Sequence, residues 1–134
     1  MSDKQHILVI DDDVQLVETV KTLLEAVGYR VSYAYRPEKG IQAARDARPD
    51  LILLDVMFAG PPGPDGIELS RKLHQDAELK EIPVIILSGV RKVLDYPFRI
   101  GPDETWMPVK AFVEKPVTPD RLLSEIGRIL GPRG

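Results

Sequence analysis

The sequence predicts an α/β domain with a doubly wound, five-stranded parallel sheet. Short unbroken apolar runs recur along the chain, and such runs are typical of strands that are covered on both faces. Segments with apolar residues at helical spacing lie between these runs. Because a crossover between parallel strands is nearly always right-handed and contains a helix, this alternation favours a parallel sheet with helices on both faces. The length of 134 residues suits one domain, expected to span 1–134.

Three apolar runs are the strongest strand candidates, and two weaker candidates are expected nearer the edges of the sheet. The strong runs are "HILVI" at His6–Ile10, "LILL" at Leu51–Leu54 and "VIIL" at Val84–Leu87. The weaker ones are "YRVSY" at Tyr29–Tyr33 and "AFVE" at Ala111–Glu114. Since none of the strong runs alternates with polar residues, both faces of these strands are predicted to be buried.

The clearest helix is predicted between the first two strands. There, apolar side chains recur at helical spacing, at Val17, Val20, Leu24 and Val27. Asp13 is expected to cap the N-terminus of this helix and Gly28 its C-terminus. Three more helices are predicted, at Pro37–Ala47, at Gly66–His74 and at Pro119–Leu130. Thr118 is the expected N-cap of the last helix, which Gly131 and Pro132 end.

Composition excludes several classes of function. The net charge is -3 and no run of Lys and Arg exceeds two residues, so DNA is not expected as a direct partner. The absence of cysteine excludes disulfides, thiolate catalysis and Cys-ligated zinc, and the two histidines, His6 and His74, are isolated in the sequence. No apolar run approaches the roughly 20 residues of a membrane span, and no signal peptide is visible. We therefore expect a soluble, cytoplasmic protein.

Polar side chains follow four of the predicted strands. Asp11 and Asp12 follow the first strand, Asp55 the third, Ser88 the fourth and Lys115 the fifth. In doubly wound sheets function lies at the carboxyl ends of the strands, so these side chains are expected to converge. Three carboxylates, a hydroxyl and an ammonium can hold a hard divalent cation and a phosphoryl group. A cation such as Mg²⁺ would also relieve the repulsion between the crowded carboxylates.

Each of these residues also has an ordinary structural interpretation. An Asp pair after a strand is often a helix N-cap, and Asp55 can simply mark the exit of its strand. Ser88 before Gly89 is typical of a turn, and Lys115 before Pro116 is typical of a solvated lysine. Because all of them fall at strand ends, chance is a poor explanation for the set as a whole.

Five motifs in chain order resemble the receiver domain of two-component response regulators, and in particular the single-domain receivers of chemotaxis. They are "ILVIDDD", "PDLILLDVM", "DGIEL", "VIILSG" and "FVEKPVTPDRLL". The resemblance covers nearly the whole chain. It implies a flavodoxin-like strand order, 2-1-3-4-5. It also implies a phosphoacceptor signalling domain rather than an enzyme, one that assists its own phosphotransfer and slow autodephosphorylation, with a sensor histidine kinase or phosphotransfer protein as donor.

The resemblance also implies a role for each site residue. Asp55 accepts the phosphoryl group, while Asp11, Asp12, Asp55 and the backbone carbonyl of Met57 bind Mg²⁺. Ser88 is the switch hydroxyl, and Lys115 pairs with the phosphoryl oxygens. The family's switch aromatic, often a tyrosine, corresponds here to Phe112, so a phenolic hydroxyl is lacking.

Two segments depart from the family pattern. The loop Ala59–Gly66 is longer than usual and rich in proline, which fits either a neutral insertion or an altered docking surface for the phosphodonor. The stretch after Ser88 is also longer, and its three prolines predict a shortened fourth helix. Its aromatic residues favour a surface for a downstream protein or a homodimer over a decorative loop; they are Tyr96, Phe98 and Trp106. The chain ends at Gly134, and no output domain is expected.

Two other functions compete with a phosphorylated receiver. One is a non-phosphorylated adaptor that uses residues 90–109 for protein binding, but such a protein has no physical need for clustered carboxylates. The other is a metal-dependent phosphohydrolase of similar architecture, which needs a general acid near its nucleophilic aspartate. Met57, two positions after Asp55, cannot serve as that acid. We therefore expect a receiver.

Overall fold

The structure is a computed structural model that describes residues 5–55, 73, 75–88, 109–114 and 117–131. In chain order, its strands and helices are β1 (His6–Ile10), α1 (Val14–Ala26), β2 (Arg30–Ala34), α2 (Pro37–Ala47), β3 (Leu51–Asp55), β4 (Val84–Ser88), β5 (Val109–Glu114) and α3 (Pro119–Leu130). None of the helices in the described part of the chain is long and apolar enough to span a bilayer.

The strands form one sheet in the order β2-β1-β3-β4-β5, and every neighbouring pair is parallel. The predicted α/β class and the parallel order 2-1-3-4 are confirmed. β5 pairs with β4, with a register shift between Val84 and Ile85. The predicted shortened fourth helix lies outside the described residues. So does most of the predicted helix Gly66–His74, of which Leu73 is described as helical and buried.

The sheet is buried on both faces, which explains the unbroken apolar runs. Even-numbered residues of β1, β3 and β4 pack into one hydrophobic cluster, together with Ala44 of α2. Odd-numbered residues of the same strands pack into a second cluster with α1 and α3. Since successive side chains of a strand point to opposite faces, a strand between two helical layers needs an apolar residue at every position. The edge strand β2 is only partly buried, as its weaker pattern predicted.

The helix ends are set by local chemistry. Asp13 is the N-cap of α1, where its carboxylate accepts the N–H of Leu16 at 3.0 Å, as predicted. Gly28 follows the C-cap Val27 with a φ of 102°, a conformation that favours glycine. Thr118 is the N-cap residue of α3, as predicted, although its side chain makes no capping hydrogen bond. α3 instead begins on Pro119, whose fixed φ suits the first helical position.

Candidate functional site

Three carboxylates lie together at the carboxyl edge of the sheet. Asp11, Asp12 and Asp55 each offer one oxygen atom, and these oxygens all lie within 4.8 Å of one another. Asp11 is fully buried and Asp55 is 2% exposed, whereas Asp12 is exposed. The sequence predicted that these three side chains would meet, and the structure brings them together.

The parallel pairing of β1 and β3 produces this meeting. Ile10 pairs with Leu54, so the next residues lie at the same level: Asp11 directly follows β1, and Asp55 is the last residue of β3 rather than the residue after it. The backbone N–H of Asp11 donates to the carbonyl oxygen of Ala34 at 3.1 Å, which ties the end of β1 to the end of β2. The carboxylate of Asp11 accepts the backbone N–H of Asp13 at 2.9 Å through Oδ1. Asp11 is thereby held at a defined position in the buried part of the cluster.

The acidic cluster has the chemistry of a hard cation site. Buried carboxylates lose hydration, and negative charges placed side by side repel one another, so both effects disfavour three ionised groups here. A divalent cation with oxygen ligands offsets both effects. The donor set of three carboxylate oxygens, with one exposed residue that leaves room for water, fits Mg²⁺, which usually keeps several waters.

The remaining predicted site residues are described only in part. Asp55 pairs with Leu87 and Ser88 pairs with Glu114, so the backbone of Ser88 reaches the same edge as the acidic cluster. The side chain of Ser88, like that of Phe112 in β5, lies outside the described part of the structure. Met57 and Lys115 also fall outside it, although Lys115 directly follows the last residue of β5.

A groove that the sequence did not predict runs along α1. It has a volume of about 930 Å³. Its lining residues come from α1 and from the start of α3: Val14, Gln15, Glu18, Thr19, Thr22, Leu23 and Pro119. Val14 lies three residues before Val17, so by spacing alone it belongs to the buried stripe of α1, yet it is 51% exposed. An apolar residue at the first position of the helix was therefore the one sequence feature that pointed to an exposed groove, but its spacing from Val17 made it look like a core residue.

Comparison with known proteins agrees with these observations. The family model described as "Response regulator receiver domain" matches residues 7–127. The phosphate regulon transcriptional regulatory protein PhoB of Pseudomonas aeruginosa is 32% identical over 130 residues, which are 96% of this chain and 52% of that protein. The DNA-binding response regulator MtrA of Mycobacterium tuberculosis is 30% identical over 125 residues, which are 92% of this chain and 49% of that protein. The chain thus spans about half the length of these curated relatives.

Solved structures show the same similarity. The crystal structure of a candidate response regulator from Chloroflexus aurantiacus superposes with a TM-score of 0.79 at 26% sequence identity. The superposition covers 97% of this chain and all of the other.

Proposed function

The chain belongs to the receiver-domain family of two-component response regulators, and from this premise we propose that it is a phosphoacceptor switch in which Asp55 receives the phosphoryl group. The donor is a phosphohistidine of a sensor histidine kinase or of a phosphotransfer protein. A bond forms between phosphorus and a carboxylate oxygen of Asp55 as the phosphorus–nitrogen bond of the donor breaks. One observation carries this proposal: a nearly buried carboxylate at a strand end has two other carboxylates within 4.8 Å.

Charge is the main obstacle to this reaction. Donor and acceptor are both negative, so the transfer requires positive charge close to Asp55. We propose that Asp11, Asp12 and Asp55, with the backbone carbonyl of Met57, bind Mg²⁺, which when bound supplies part of that charge. Lys115 supplies the rest from the end of β5. Asp11, fully buried and fixed by the N–H of Asp13, acts as the rigid part of this cation site.

The switch follows from the new charge. An aspartyl phosphate adds acceptor oxygens, and the hydroxyl of Ser88 and the ammonium of Lys115 are the proposed groups that bind them. Their movement would bias the packing of the neighbouring segment, residues 90–109, where we propose a short fourth helix and the surface for a downstream protein or a second copy. In this proposal β5 closes a five-stranded receiver sheet, residues 1–134 act as one receiver unit, and the unit works in the cytoplasm.

We assign the phosphodonor to the groove along α1. The end of the groove at Val14 lies at the carboxyl edge of the sheet, where the acidic cluster also lies. Val14 directly follows the N-cap Asp13, and Pro119 begins α3 after the end of β5. Its exposed apolar residue, Val14, and its polar residues, such as Gln15 and Glu18, offer a mixed surface of the kind that non-permanent partners use.

Intact mass after exposure to a small acyl phosphate, with and without Mg²⁺, tests the proposal. The wild type should gain one phosphoryl group only with Mg²⁺, and Asp55→Asn should gain none. Asp46→Asn is the matched control, since Asp46 is an exposed aspartate near the C-terminal end of α2. This variant should be labelled like the wild type. If Asp55→Asn were labelled as efficiently as the wild type, the acceptor would be another residue. An unlabelled wild type that still binds its partner would favour the adaptor function instead.

A further inference from the structure

A second polar cluster lies at the amino end of the sheet, away from the acidic cluster. We call it the amino-edge cluster, and it consists of His6, Arg30, Ser32 and Asp50. His6 is the first residue of β1 and only 8% exposed. Its Nε2 atom lies 2.7 Å from Ser32 Oγ, and its Nδ1 atom lies 3.1 Å from Arg30 Nη2. His6 looks isolated in the sequence, but in the structure both nitrogen atoms of its ring contact polar side chains.

The backbone around His6 joins three strands. The N–H of His6 donates to Asp50 Oδ2 at 2.8 Å, and the N–H of Asp50 donates to the carbonyl oxygen of His6 at 2.7 Å. On the other side, the N–H of Arg30 donates to the carbonyl oxygen of Gln5 at 2.9 Å. The starts of β1, β2 and β3 therefore meet at the residue that carries the imidazole.

The partners of the ring fix its protonation state. A guanidinium group has only donors, so Nδ1 of His6 must accept the hydrogen bond from Arg30 and carry no proton. A neutral imidazole then has its proton on Nε2, which donates to Ser32 Oγ. In an imidazolium, by contrast, an N–H at Nδ1 would face the N–H groups of Arg30, donor against donor and charge against charge.

The surrounding charges agree with this geometry. Burial and, second, the positive charge of Arg30 lower the pKa of His6 from its usual 6.5. The carboxylate of Asp50 and the backbone carbonyl of Ala47 act in the opposite direction and raise it, but less strongly. These groups come from the start of β2, from the end of α2 and from the residue just before β3. The neutral ring is therefore the favoured state in the folded protein.

We propose that His6 is a proton-sensing residue, held as the neutral Nε2–H tautomer, whose protonation releases Arg30 and loosens the start of β2 from β1. The unfolded chain takes up this proton near pH 6.5, whereas the folded chain resists it down to a lower pH. The stabilisation that neutral His6 provides is therefore complete above about pH 6.5 and is lost as the pH falls through the lower pKa of the folded state. This property does not depend on phosphorylation.

Nitrogen-15 NMR of the two imidazole rings tests the proposal on the intact protein. At neutral pH the His6 ring should show the Nε2–H tautomer, and its titration midpoint should lie below 6.5. Arg30→Ala should raise that midpoint, because it removes the donor to Nδ1 and a positive charge. Lys39→Ala is the matched control: it removes an exposed positive charge from the first turn of α2, at the other edge of the sheet, and should leave the midpoint unchanged. His74 supplies a second signal in each spectrum, so the His6 ring is assigned by comparison with the spectrum of His6→Gln.

Denaturant unfolding gives an independent readout. The wild type should be more stable than His6→Gln at pH 7.5, and this difference should shrink as the pH is lowered to 5. The protection factor of the Arg30 N–H against hydrogen exchange, which compares its rate with the intrinsic rate at each pH, should fall over the same range in the wild type, because this N–H bonds to Gln5 across the start of β1 and β2. An Nδ1–H tautomer, a His6 midpoint at or above 6.5, or a midpoint that Arg30→Ala leaves unchanged would overturn the proposal. So would a stability difference that is constant or grows towards pH 5.

Discussion

Three consecutive aspartates at the end of β1 have two different roles. Asp11 and Asp12 each contribute an oxygen to the acidic cluster, whereas the carboxylate of Asp13 accepts the N–H of Leu16 and caps α1. The sequence could predict this division because each role depends on an immediate neighbour: the strand before Asp11 and the helix after Asp13. Single substitutions should therefore separate the two roles.

Asp12→Ala should raise the free energy of unfolding in the absence of metal, because it relieves the repulsion between clustered carboxylates. The same change should weaken Mg²⁺ binding. Asp13→Ala should lower the free energy of unfolding by about 1 kcal/mol through loss of the N-cap, with little change in Mg²⁺ affinity. Urea unfolding with and without Mg²⁺ measures both quantities. If Asp12→Ala destabilised the protein and left Mg²⁺ affinity intact, Asp12 would be structural rather than a ligand.

Met57 gives a second prediction at the residue scale, one that comes from the sequence since Met57 lies outside the described residues. Hydrolysis of an aspartyl phosphate needs a water in line with the phosphorus, and a polar side chain can orient it. The residues two positions after Asp55 and Ser88 are Met57 and Val90, which are both apolar. We expect a long-lived phosphorylated state that Met57→Asn shortens, measured by the decay of the phosphorylated mass. An unchanged half-life would mean that water access is controlled elsewhere, for instance by the loop Ala59–Gly66.

The side-chain contacts of the amino-edge cluster could not be predicted from the sequence. His6 and Arg30 are paired residues in the register of β1 and β2, and Ser32 lies two residues further on. Asp50 precedes β3, the neighbour of β1 on its other side. These groups are up to 44 positions apart from His6, and only the strand order and register bring them to one ring. A pattern search that looks for nearby residues therefore finds an isolated histidine.

At the scale of elements, the central strands were predictable because burial on both faces leaves a continuous apolar run. β1 begins and ends where the sequence placed it, at His6–Ile10. The weaker β2 was placed one residue early, at Tyr29, which is buried and donates its N–H to Leu24 at the end of α1. The groove along α1 escaped prediction because spacing cannot distinguish a buried first-turn residue such as Val14 from an exposed one.

α3 offers a test of helix chemistry with an internal control. Gly127 lies inside the helix, and a Cβ atom built there meets no atom within 4 Å. Gly127→Ala should therefore raise the free energy of unfolding by about 1 kcal/mol, since glycine is the weaker helix former. Gly131→Ala should have the opposite effect, because Gly131 ends the helix with a φ of 79°.

Thermal or urea unfolding measures the free energy of unfolding of both glycine variants, and the two changes should have opposite signs. A destabilised Gly127→Ala would show that a neighbouring segment outside the described residues approaches the helix at that point.

At the scale of the whole molecule, one sheet separates two polar sites with different chemistry. The carboxyl edge gathers the acidic cluster, and the amino edge gathers the cluster around His6. The sequence predicted the first from strand ends alone, because parallel strands must bring their carboxyl ends together. The second depends on the register of β1 against β2 and on which side chains meet at the His6 ring, and the order of the strands alone gives neither.

Residues 90–108 lie outside the described part of the structure, and Trp106, the single tryptophan of the chain, can report on them. If this segment provides a partner surface, acrylamide should quench Trp106 readily in the isolated protein and less readily in the assembled state. Trp106→Ala should then weaken association, seen by analytical ultracentrifugation of the phosphorylated protein or by binding to a downstream protein. A shielded Trp106 whose replacement by Ala costs about 3 kcal/mol of stability and no binding would instead assign the segment to core packing.

The uptake of one phosphoryl group as a function of Mg²⁺ concentration shows whether phosphorylation of Asp55 depends on a cation bound by the acidic cluster. It should be measured by intact mass for the wild type, Asp12→Asn and Asp55→Asn. The wild type should give a saturating curve, Asp12→Asn the same curve displaced to higher Mg²⁺ concentration, and Asp55→Asn no uptake. Uptake by the wild type that is independent of Mg²⁺, or a curve that Asp12→Asn leaves in place, would contradict the claim that the acidic cluster binds the cation on which phosphorylation of Asp55 depends.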